Sequence, residues 1–313
     1  MKRCKVWLGV CVVMMACAMN AAAENWALPR VSVACVRENP GHASELGTQV
    51  IMGTPLKVLG EEDGWVRVET PEHYHGYVIG NSLQMIGEME MENWKDSDRW
   101  VVTSLDQTYV YSVPEATAVR RVSDVMNGTI LLADKLVACA EEYVAVVLPD
   151  GRRGYVERGN VMSLYEWVNL PVDVADVLDM AVSLMGTPYL WGGTSSKSMD
   201  CSGLTKLCFL SQGVILPRNA SEQAREGVEI DKTNIDLFRP GDLLFFGNVK
   251  TGRINHVGMY LADGRFVHCS GQVKINSLNR GEVDYADLGL ISVKRLRDTD
   301  FARLKMQNHP WFF

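Results

Sequence analysis

The sequence predicts an α+β protein in which two small β-barrels precede a domain of helices packed on an antiparallel sheet. The first observation is a weak repeat in the N-terminal half, where short apolar runs alternate with turn residues. The second is a change after Leu164, where helical spacing comes first and a series of β runs follows, a layout typical of α+β domains. The chain has 313 residues, which is enough for two or three domains.

The first 23 residues have the layout of a secretory signal peptide. Three basic residues among the first five precede an apolar run over 6–18, and three alanines offer a cleavage site before Glu24. The apolar run is shorter than the roughly 20 residues that span a bilayer. We therefore expect export to the periplasm without stable membrane insertion. A lipid anchor at Cys17 is the alternative, although the residues before it match the lipidation motif poorly.

The charge balance excludes one class of partner. The formal net charge is −7, and loss of Lys2, Arg3 and Lys5 with the first 23 residues takes it from −7 to −10. An acidic protein repels nucleic acids and other anionic polymers, so no nucleic-acid partner is expected. We predict a monomer.

The cysteine count indicates a free thiol. Of eight cysteines, three lie in the first 23 residues. The other five are Cys35, Cys139, Cys201, Cys208 and Cys269. Five is an odd number and no CxxC pair occurs, so neither a zinc site nor a dense disulfide framework is predicted, and no metal or other cofactor is expected. At least one thiol therefore stays unpaired in an exported protein.

The repeat covers residues 33–78 and 108–156. Its matched positions are Pro40 and Pro114, Gly53 and Gly128, Trp65 and Tyr143, and Tyr77 and Tyr155, at offsets of 74 to 78 residues. Two units make a tandem module, and their β-rich pattern resembles bacterial SH3-like domains. The predicted organisation is a signal peptide over 1–23, SH3-like domains over 24–95 and 96–166, and a third domain over 167–313.

Two helices are predicted at the start of the third domain. The first begins at Pro171 and ends at Gly186, with Val174, Leu178 and Val182 on its apolar face. The second follows Asp200 and ends at Gly213. Its predicted inner face consists of Leu204, Leu207 and Cys208. Three β runs then follow over 241–246, 255–262 and 265–270, so helices precede a strand meander.

Cys201 is the candidate nucleophile because it begins the second helix. A helix N-terminus lowers the pKa of a thiol, and a cysteine peptidase also needs an imidazole base and a polar group that orients it. His256 and His268 lie on neighbouring predicted strands, where a hairpin brings their rings together. The alternatives are a buried structural role for Cys201, for which Cys208 and Cys269 are the better candidates, and simple packing for His268.

The motifs "GTPYLWGGTSSKSMDCSGLTKLCFLSQGVILPRNAS", "RPGDLLFFG" and "NHVGMYLADGRFVHCSG" resemble the papain-like NlpC-type cell-wall cysteine peptidases. The resemblance covers roughly 172–300. With two SH3-like modules upstream, the order of parts is most similar to the γ-D-glutamyl-L-diamino acid endopeptidases, or dipeptidyl-peptidases VI. It implies a papain-like fold for the third domain.

The resemblance also implies a substrate and a mechanism. Murein stem peptides with a free N-terminal L-Ala would be cut after L-Ala-γ-D-Glu, before lysine or diaminopimelate. The Cys201 thiolate would attack the γ-carbonyl, with Tyr189 and the backbone N–H of Cys201 holding the oxyanion. His256 would protonate the leaving amine, and His268 would orient His256.

Further residues are carried over from the family as a pocket for the free amine. They are Glu45 and Tyr74 from the first SH3-like domain, and Asp200 and Ser202 beside the nucleophile, with Tyr189, Trp191 and Ser221 along the substrate site. His73 or Tyr77 is the alternative to the first pair, and Asp200 is alternatively only a helix cap. Asn219 departs from the acid expected after Leu-Pro-Arg.

Three other functions remain open at this point. One is a non-catalytic wall-binding protein, against which the intact cysteine and histidine set weighs. Another is an endopeptidase on intact murein, which would require the first SH3-like domain to leave the cleft open. The third is an amidase or acyltransferase on the same scaffold, which a fold alone does not exclude.

Overall fold

The structure is a computed structural model that describes residues 25–137 and 141–313. The predicted signal peptide over 1–23, the lipid-anchor candidate Cys17 and the thiol of Cys139 lie outside the described residues.

The chain first forms a seven-stranded antiparallel sheet. Its strands are β1 (Trp26–Pro29), β2 (Val33–Arg37), β3 (Leu46–Ile51), β4 (Leu56–Glu62), β5 (Trp65–Glu69), β6 (His75–Ile79) and β7 (Leu83–Ile86). The strand order is β3-β2-β6-β5-β4-β1-β7. Alternate residues such as Ala34 and Val36, or Val66 and Val68, are buried, as expected for strands with one face on a core. Helix α1 (Glu88–Asp96) follows.

A second sheet repeats the first. Its strands are β8 (Arg99–Val102), β9 (Thr108–Tyr111), β10 (Arg121–Val125), β11 (Ile130–Ala133), β12 (Tyr143–Val147), β13 (Arg153–Glu157) and β14 (Val161–Ser163). The order β10-β9-β13-β12-β11-β8-β14 is that of the first sheet, strand for strand. Gly53 and Gly128 both have a positive φ, of 81° and 86°, which explains why the repeat has glycine at this turn.

The remaining elements form an α+β domain, so the predicted fold class is confirmed. They are α2 (Leu164–Asn169), α3 (Val174–Ser183), β15 (Thr194–Ser195), β16 (Ser198–Met199), α4 (Cys201–Leu210), α5 (Ala220–Gln223), β17 (Val228–Ile230), β18 (Leu243–Asn248), β19 (Arg253–Ala262), β20 (Arg265–Ser270), β21 (Gln272–Ser277), β22 (Leu290–Arg295) and α6 (Asp298–Leu304). The main sheet has the order β17-β22-β18-β19-β20-β21. The three predicted β runs are β18, β19 and β20.

Three strands of this sheet, β17, β21 and β22, were not predicted. Most of their residues are half-buried or exposed. Their sequences therefore lack the clear alternation that marks β19 and β20.

The inner face predicted for α4 is confirmed, because Leu204, Leu207 and Cys208 are fully buried. The prediction for α3 is wrong in two details. The helix begins at Val174, after Asp173 accepts a hydrogen bond of 2.8 Å from the Ala175 N–H. Val182 is exposed, because positions four apart drift by about 40° around a helix and the third member of the stripe leaves the core face.

The first sheet is joined to the α+β domain by buried hydrogen bonds. Thr194 donates its N–H to Gln49 Oε1 at 3.0 Å and its hydroxyl to the Gln49 carbonyl at 2.8 Å. Lys206 forms an ion pair of 3.2 Å with Glu72, whose side chain is also buried. Strand β3 therefore has a defined position against the loop that precedes α4.

Candidate active site

Cys201 is the first residue of α4 and lies at the floor of a cleft of about 760 Å³. Asp200 caps the helix, accepting the Gly203 N–H at 2.8 Å. Cys201 as a whole residue is only 7% exposed. His256 lines the same cleft from β19. The structure therefore brings the predicted nucleophile and base to one site.

The pKa of the Cys201 thiol differs from the expected direction. Burial, and then the charge of Asp200, raise this pKa to about 11, although the backbone N–H groups of Val257 and Ser202 lower it. Burial, and then His268, lower the pKa of His256 to about 4. The prediction of a lowered thiol pKa is therefore wrong, because desolvation and a neighbouring carboxylate outweigh the helix terminus.

Alkylation of Cys201 by iodoacetamide is expected to be slow at pH 7 and to accelerate about tenfold per pH unit up to about pH 11, since only the thiolate reacts. Intact-mass spectrometry measures the rate, and a Cys201→Ala protein reports the background from the other thiols. An alkylation rate that stays constant between pH 5 and pH 8 would contradict a neutral Cys201 thiol beside a neutral His256. It would indicate a thiolate beside an imidazolium.

The two histidines meet as predicted. The Nε2 atom of His256 lies 2.7 Å from Nδ1 of His268, and the hairpin of β19 and β20 pairs Gly258 with His268. His268 is buried behind His256, with 1% of its surface exposed. Its Nε2 atom lies 2.8 Å from Oδ1 of Asn276. Asn276 was not predicted, because β21 itself was missed and an asparagine in an unrecognised strand carries no signal of its own.

The predicted substrate residues all line the cleft. They are Glu45, Tyr74, Tyr189, Trp191, Asp200, Ser202 and Ser221. Glu38 lines it as well, and its carboxylate accepts a hydrogen bond from the Tyr74 hydroxyl. Sequence reasoning missed Glu38, because only the folded loop between β2 and β3 turns both acids toward the cleft.

The alternatives to Glu45 and Tyr74 are not supported. His73 lies near the rings of His309 and Trp311 and lines a separate cavity with them. Tyr77 is paired with Arg67 in the sheet and is not among the cleft residues.

Asp200 makes the contacts of a helix cap, which is its alternative role. It accepts hydrogen bonds from the Gly192 N–H at 3.0 Å and the Ser202 hydroxyl at 3.2 Å, besides that of the Gly203 N–H. It also pairs with Arg218, whose Nη2 atom lies 2.5 Å from Oδ2. These donors occupy the carboxylate, so the structure favours a helix cap and counter-ion over an ammonium ligand. Arg218 is therefore the ion-pair partner of Asp200.

Tyr189 and Asn219 complete the site. Burial, and then Cys201 and Asp200, raise the pKa of Tyr189 to about 12, so its hydroxyl keeps a proton to donate. Asn219, which stands where an acid was expected, caps the short helix α5, and its N–H donates to Glu222 at 3.0 Å.

The described part of the chain shows no candidate metal centre and no candidate membrane helix. In 25–137 and 141–313, no group of three or more histidine, cysteine, aspartate or glutamate side chains is placed to hold a metal ion. No helix in the same part of the chain has the length and apolar character needed to cross a bilayer.

Comparison with known proteins places these parts in families. Residues 186–290 match the NlpC/P60 family, and residues 32–84 match the bacterial SH3 domain. The γ-D-glutamyl-L-lysine dipeptidyl-peptidase of Bacillus cereus is 27% identical over 236 residues, which are 72% of this chain and 68% of the relative. Dipeptidyl-peptidase 6 of Lysinibacillus sphaericus is 28% identical over 253 residues, 77% and 87% of the two chains.

A solved structure supports the fold. The crystal structure of an NlpC/P60 family protein from Bacillus cereus superimposes with a TM-score of 0.73 and 22% identity, covering 86% of this chain and 99% of the other. The chain therefore has a papain-like NlpC/P60 domain preceded by a bacterial SH3 domain, and it is a cysteine peptidase.

Proposed function

We propose that this NlpC/P60 cysteine peptidase hydrolyses the γ-D-Glu–L-diamino acid bond of murein stem peptides that have a free N-terminal L-Ala, releasing L-Ala-γ-D-Glu. The observation that carries the proposal is the acidic end of the cleft, where loops of the first sheet supply Glu38, Glu45 and Tyr74. The names of the relatives described above agree with it.

Contacts between the first sheet and the loop before α4 favour a cleft that is closed at this end over an open groove. A Cβ atom on Gly192 would lie 2.1 Å from the Leu46 carbonyl oxygen, so the loop before α4 accepts only glycine against this backbone. Arg218 Nε donates a hydrogen bond to the Gly47 carbonyl at 3.0 Å. The Thr194 N–H donates to Oε1 of Gln49, two residues further along β3. A glycan chain beyond L-Ala would have to displace this contact.

The charges of the closed end favour an ammonium group. Glu38 and Glu45 are two exposed carboxylates beside the Tyr74 hydroxyl. Burial and the Glu38 charge raise the pKa of Tyr74 above its ordinary value, which keeps the hydroxyl protonated. A protonated amine would form charge-assisted hydrogen bonds with the carboxylates, whereas an acylated nitrogen offers no positive charge.

In the proposed reaction, the Cys201 sulfur attacks the γ-carbonyl of D-Glu while Nδ1 of His256 takes the thiol proton. The oxyanion is held by the Cys201 N–H and the Tyr189 hydroxyl. His256 then gives the proton to the leaving amine of the diamino acid, and a thioester remains. Water activated by His256 hydrolyses the thioester and restores the thiol.

Mass spectrometry of the products from L-Ala-γ-D-Glu-diaminopimelate and its N-acetylated form tests the proposal. We expect release of L-Ala-γ-D-Glu from the free peptide and about 10- to 100-fold slower cleavage of the acetylated one, since a lost charged hydrogen bond is worth about 1.5 to 3 kcal/mol. Equal cleavage of both would overturn the amine requirement and indicate an endopeptidase on intact murein. The lysine peptide in parallel reports the diamino-acid preference.

Replacing Glu38 or Glu45 by glutamine is expected to raise KM for the free peptide by about tenfold, because one charge-assisted contact with the amine is weakened. The acetylated peptide should respond to neither change. Steady-state kinetics with both peptides measure the effect, and Glu61→Gln, an exposed acid of the same sheet away from the cleft, is the matched control. An unchanged KM in both variants would remove the amine pocket from this end of the cleft.

We also propose that the protein acts outside the cytoplasm. This proposal rests on the sequence of residues 1–23 alone, and the cell fraction that contains the processed chain decides it.

A further inference from the structure

A chain of hydrogen bonds runs from His256 through His268 and Asn276 to the backbone carbonyl of Asp284. That carbonyl determines which atom of each bond is the donor. The Asp284 carbonyl oxygen lies 2.6 Å from the Nδ2 atom of Asn276 and 3.1 Å from the Ser277 nitrogen. A carbonyl oxygen only accepts hydrogen bonds. The side-chain amide of Asn276 must therefore direct its NH₂ group to Asp284 and its Oδ1 atom to His268.

The same reasoning assigns the protons on both imidazoles. Oδ1 of Asn276 only accepts, so Nε2 of His268, at 2.8 Å, must donate and carry a proton. In the neutral ring Nδ1 is then bare, and it accepts from Nε2 of His256 at 2.7 Å. The remaining nitrogen of neutral His256, Nδ1, therefore has a free electron pair.

We propose that Asn276 is a positioning residue that selects the tautomers of His268 and His256 and so keeps Nδ1 of His256 able to take the thiol proton. This inference rests on the proposed roles of Cys201 and His256. Without an acceptor at position 276, both rings are able to reverse their tautomers together. His256 would then present an N–H to the thiol and act as no base.

The surrounding structure holds Asn276 in place. Strands β20 and β21 pair His268 with Lys274 and Phe266 with Asn276, which puts Asn276 and His268 on one face of the sheet. The loop that carries the Asp284 carbonyl is tied to β20, because Arg265 pairs with Asp284 and, at 3.1 Å, with Glu282.

The charged groups near the two rings are Asp200 and Lys274. Lys274 lowers the pKa of both histidines, whereas Asp200 raises that of His256. Burial lowers the pKa of His268, and the hydrogen bond to Asn276 opposes this lowering. Changes at position 276 should therefore move the acid limb of the pH profile, which a purely structural role would not do.

The first test replaces Asn276 by leucine, which has a similar volume and no acceptor. We expect kcat to fall about 10- to 100-fold with KM changed less than about twofold, since only the base is affected. The acid limb of the kcat profile should move to lower pH, because the hydrogen bond to Asn276 that raises the pKa of His268 is lost. Asn276→Asp keeps an acceptor and adds a negative charge, so it should recover part of kcat and move the acid limb to higher pH.

The second test reads the tautomers without a substrate. ¹⁵N NMR of the imidazoles of the wild-type protein at pH 7 should show a proton on Nε2 and none on Nδ1 in both rings, and Asn276→Leu should show averaged Nδ1 and Nε2 signals. Asn279→Leu is the matched control, because Asn279 bonds Glu282 at 3.0 Å and no histidine.

A proton on Nδ1 of either ring in the wild-type protein overturns the proposal, even if the leucine variant fails to fold. So does an Asn276→Leu protein with unchanged kcat, pH profile and tautomers. If wild type cleaves neither stem peptide, the proposed function fails while the NMR result still decides the role of Asn276.

Discussion

Replacing Cys201 by alanine is expected to lower kcat on the stem peptide by about 10⁴-fold or more, with the fold and the binding of the peptide retained. The sulfur is the atom that forms the thioester in the proposed reaction, and no other group of the site replaces it. The substitution removes one small atom from the start of α4 and leaves the Asp200 cap in place. Single-turnover kinetics and peptide binding by calorimetry measure the two quantities separately.

Cys208→Ala is the matched control for this prediction. Cys208 lies on the same helix, is fully buried and does not line the cleft. Its loss should leave kcat unchanged and cost only packing free energy. An active Cys201→Ala protein would contradict the thiol mechanism. It would indicate instead that Cys201 is a buried structural residue.

Replacing Arg218 by leucine is expected to destabilise the protein by about 3 to 5 kcal/mol, because it leaves the Asp200 carboxylate buried without its counter-ion. Both side chains are almost inaccessible, at 3% for Arg218 and 6% for Asp200. Arg218 also donates to the Ser202 hydroxyl at 2.8 Å and to the Gly47 carbonyl at 3.0 Å. One guanidinium thus joins the start of α4 to the first sheet.

Thermal unfolding measures this effect, and a fall in Tm of about 10 °C or more corresponds to the expected loss for domains of this size. Arg297→Leu is the control, since the Arg297 side chain is exposed and its Nε atom lies 3.6 Å from Asp300, and such surface pairs contribute about 0 to 1 kcal/mol. Adding Asp200→Asn to Arg218→Leu should restore part of the loss, because the unpaired charge is then gone. A double variant less stable than the sum of both single changes would contradict the ion-pair explanation.

Much of the candidate catalytic site was predictable, because its signals are local. Cys201 lies directly after the capping residue of its helix, and the alternation of β19 and β20 carries His256 and His268 to one hairpin. The Gly53 and Gly128 match predicted the repeat, because a turn with positive φ selects glycine in both sheets.

Other features were not predictable, because they depend on residues far apart in the chain. Asn276 joins the histidines only through a strand whose residues are mostly half-buried, and Glu38 reaches the cleft only through a folded loop. The direction of the Cys201 pKa was also missed, since burial is a property of the packed domain and not of the helix terminus.

The sequence by itself determined the fold class, the thiol and its histidines, since capping, periodicity and hairpin spacing act over a few residues. The tertiary structure decided that Asp200 is paired with Arg218, and that loops of the first sheet bring two carboxylates to the cleft. It also placed the Asp284 carbonyl where it orients the Asn276 amide and, through it, the protons on both imidazoles. Hydrogen bonds and charges between distant segments have no periodic signature, because their partners are chosen by the packing of whole domains.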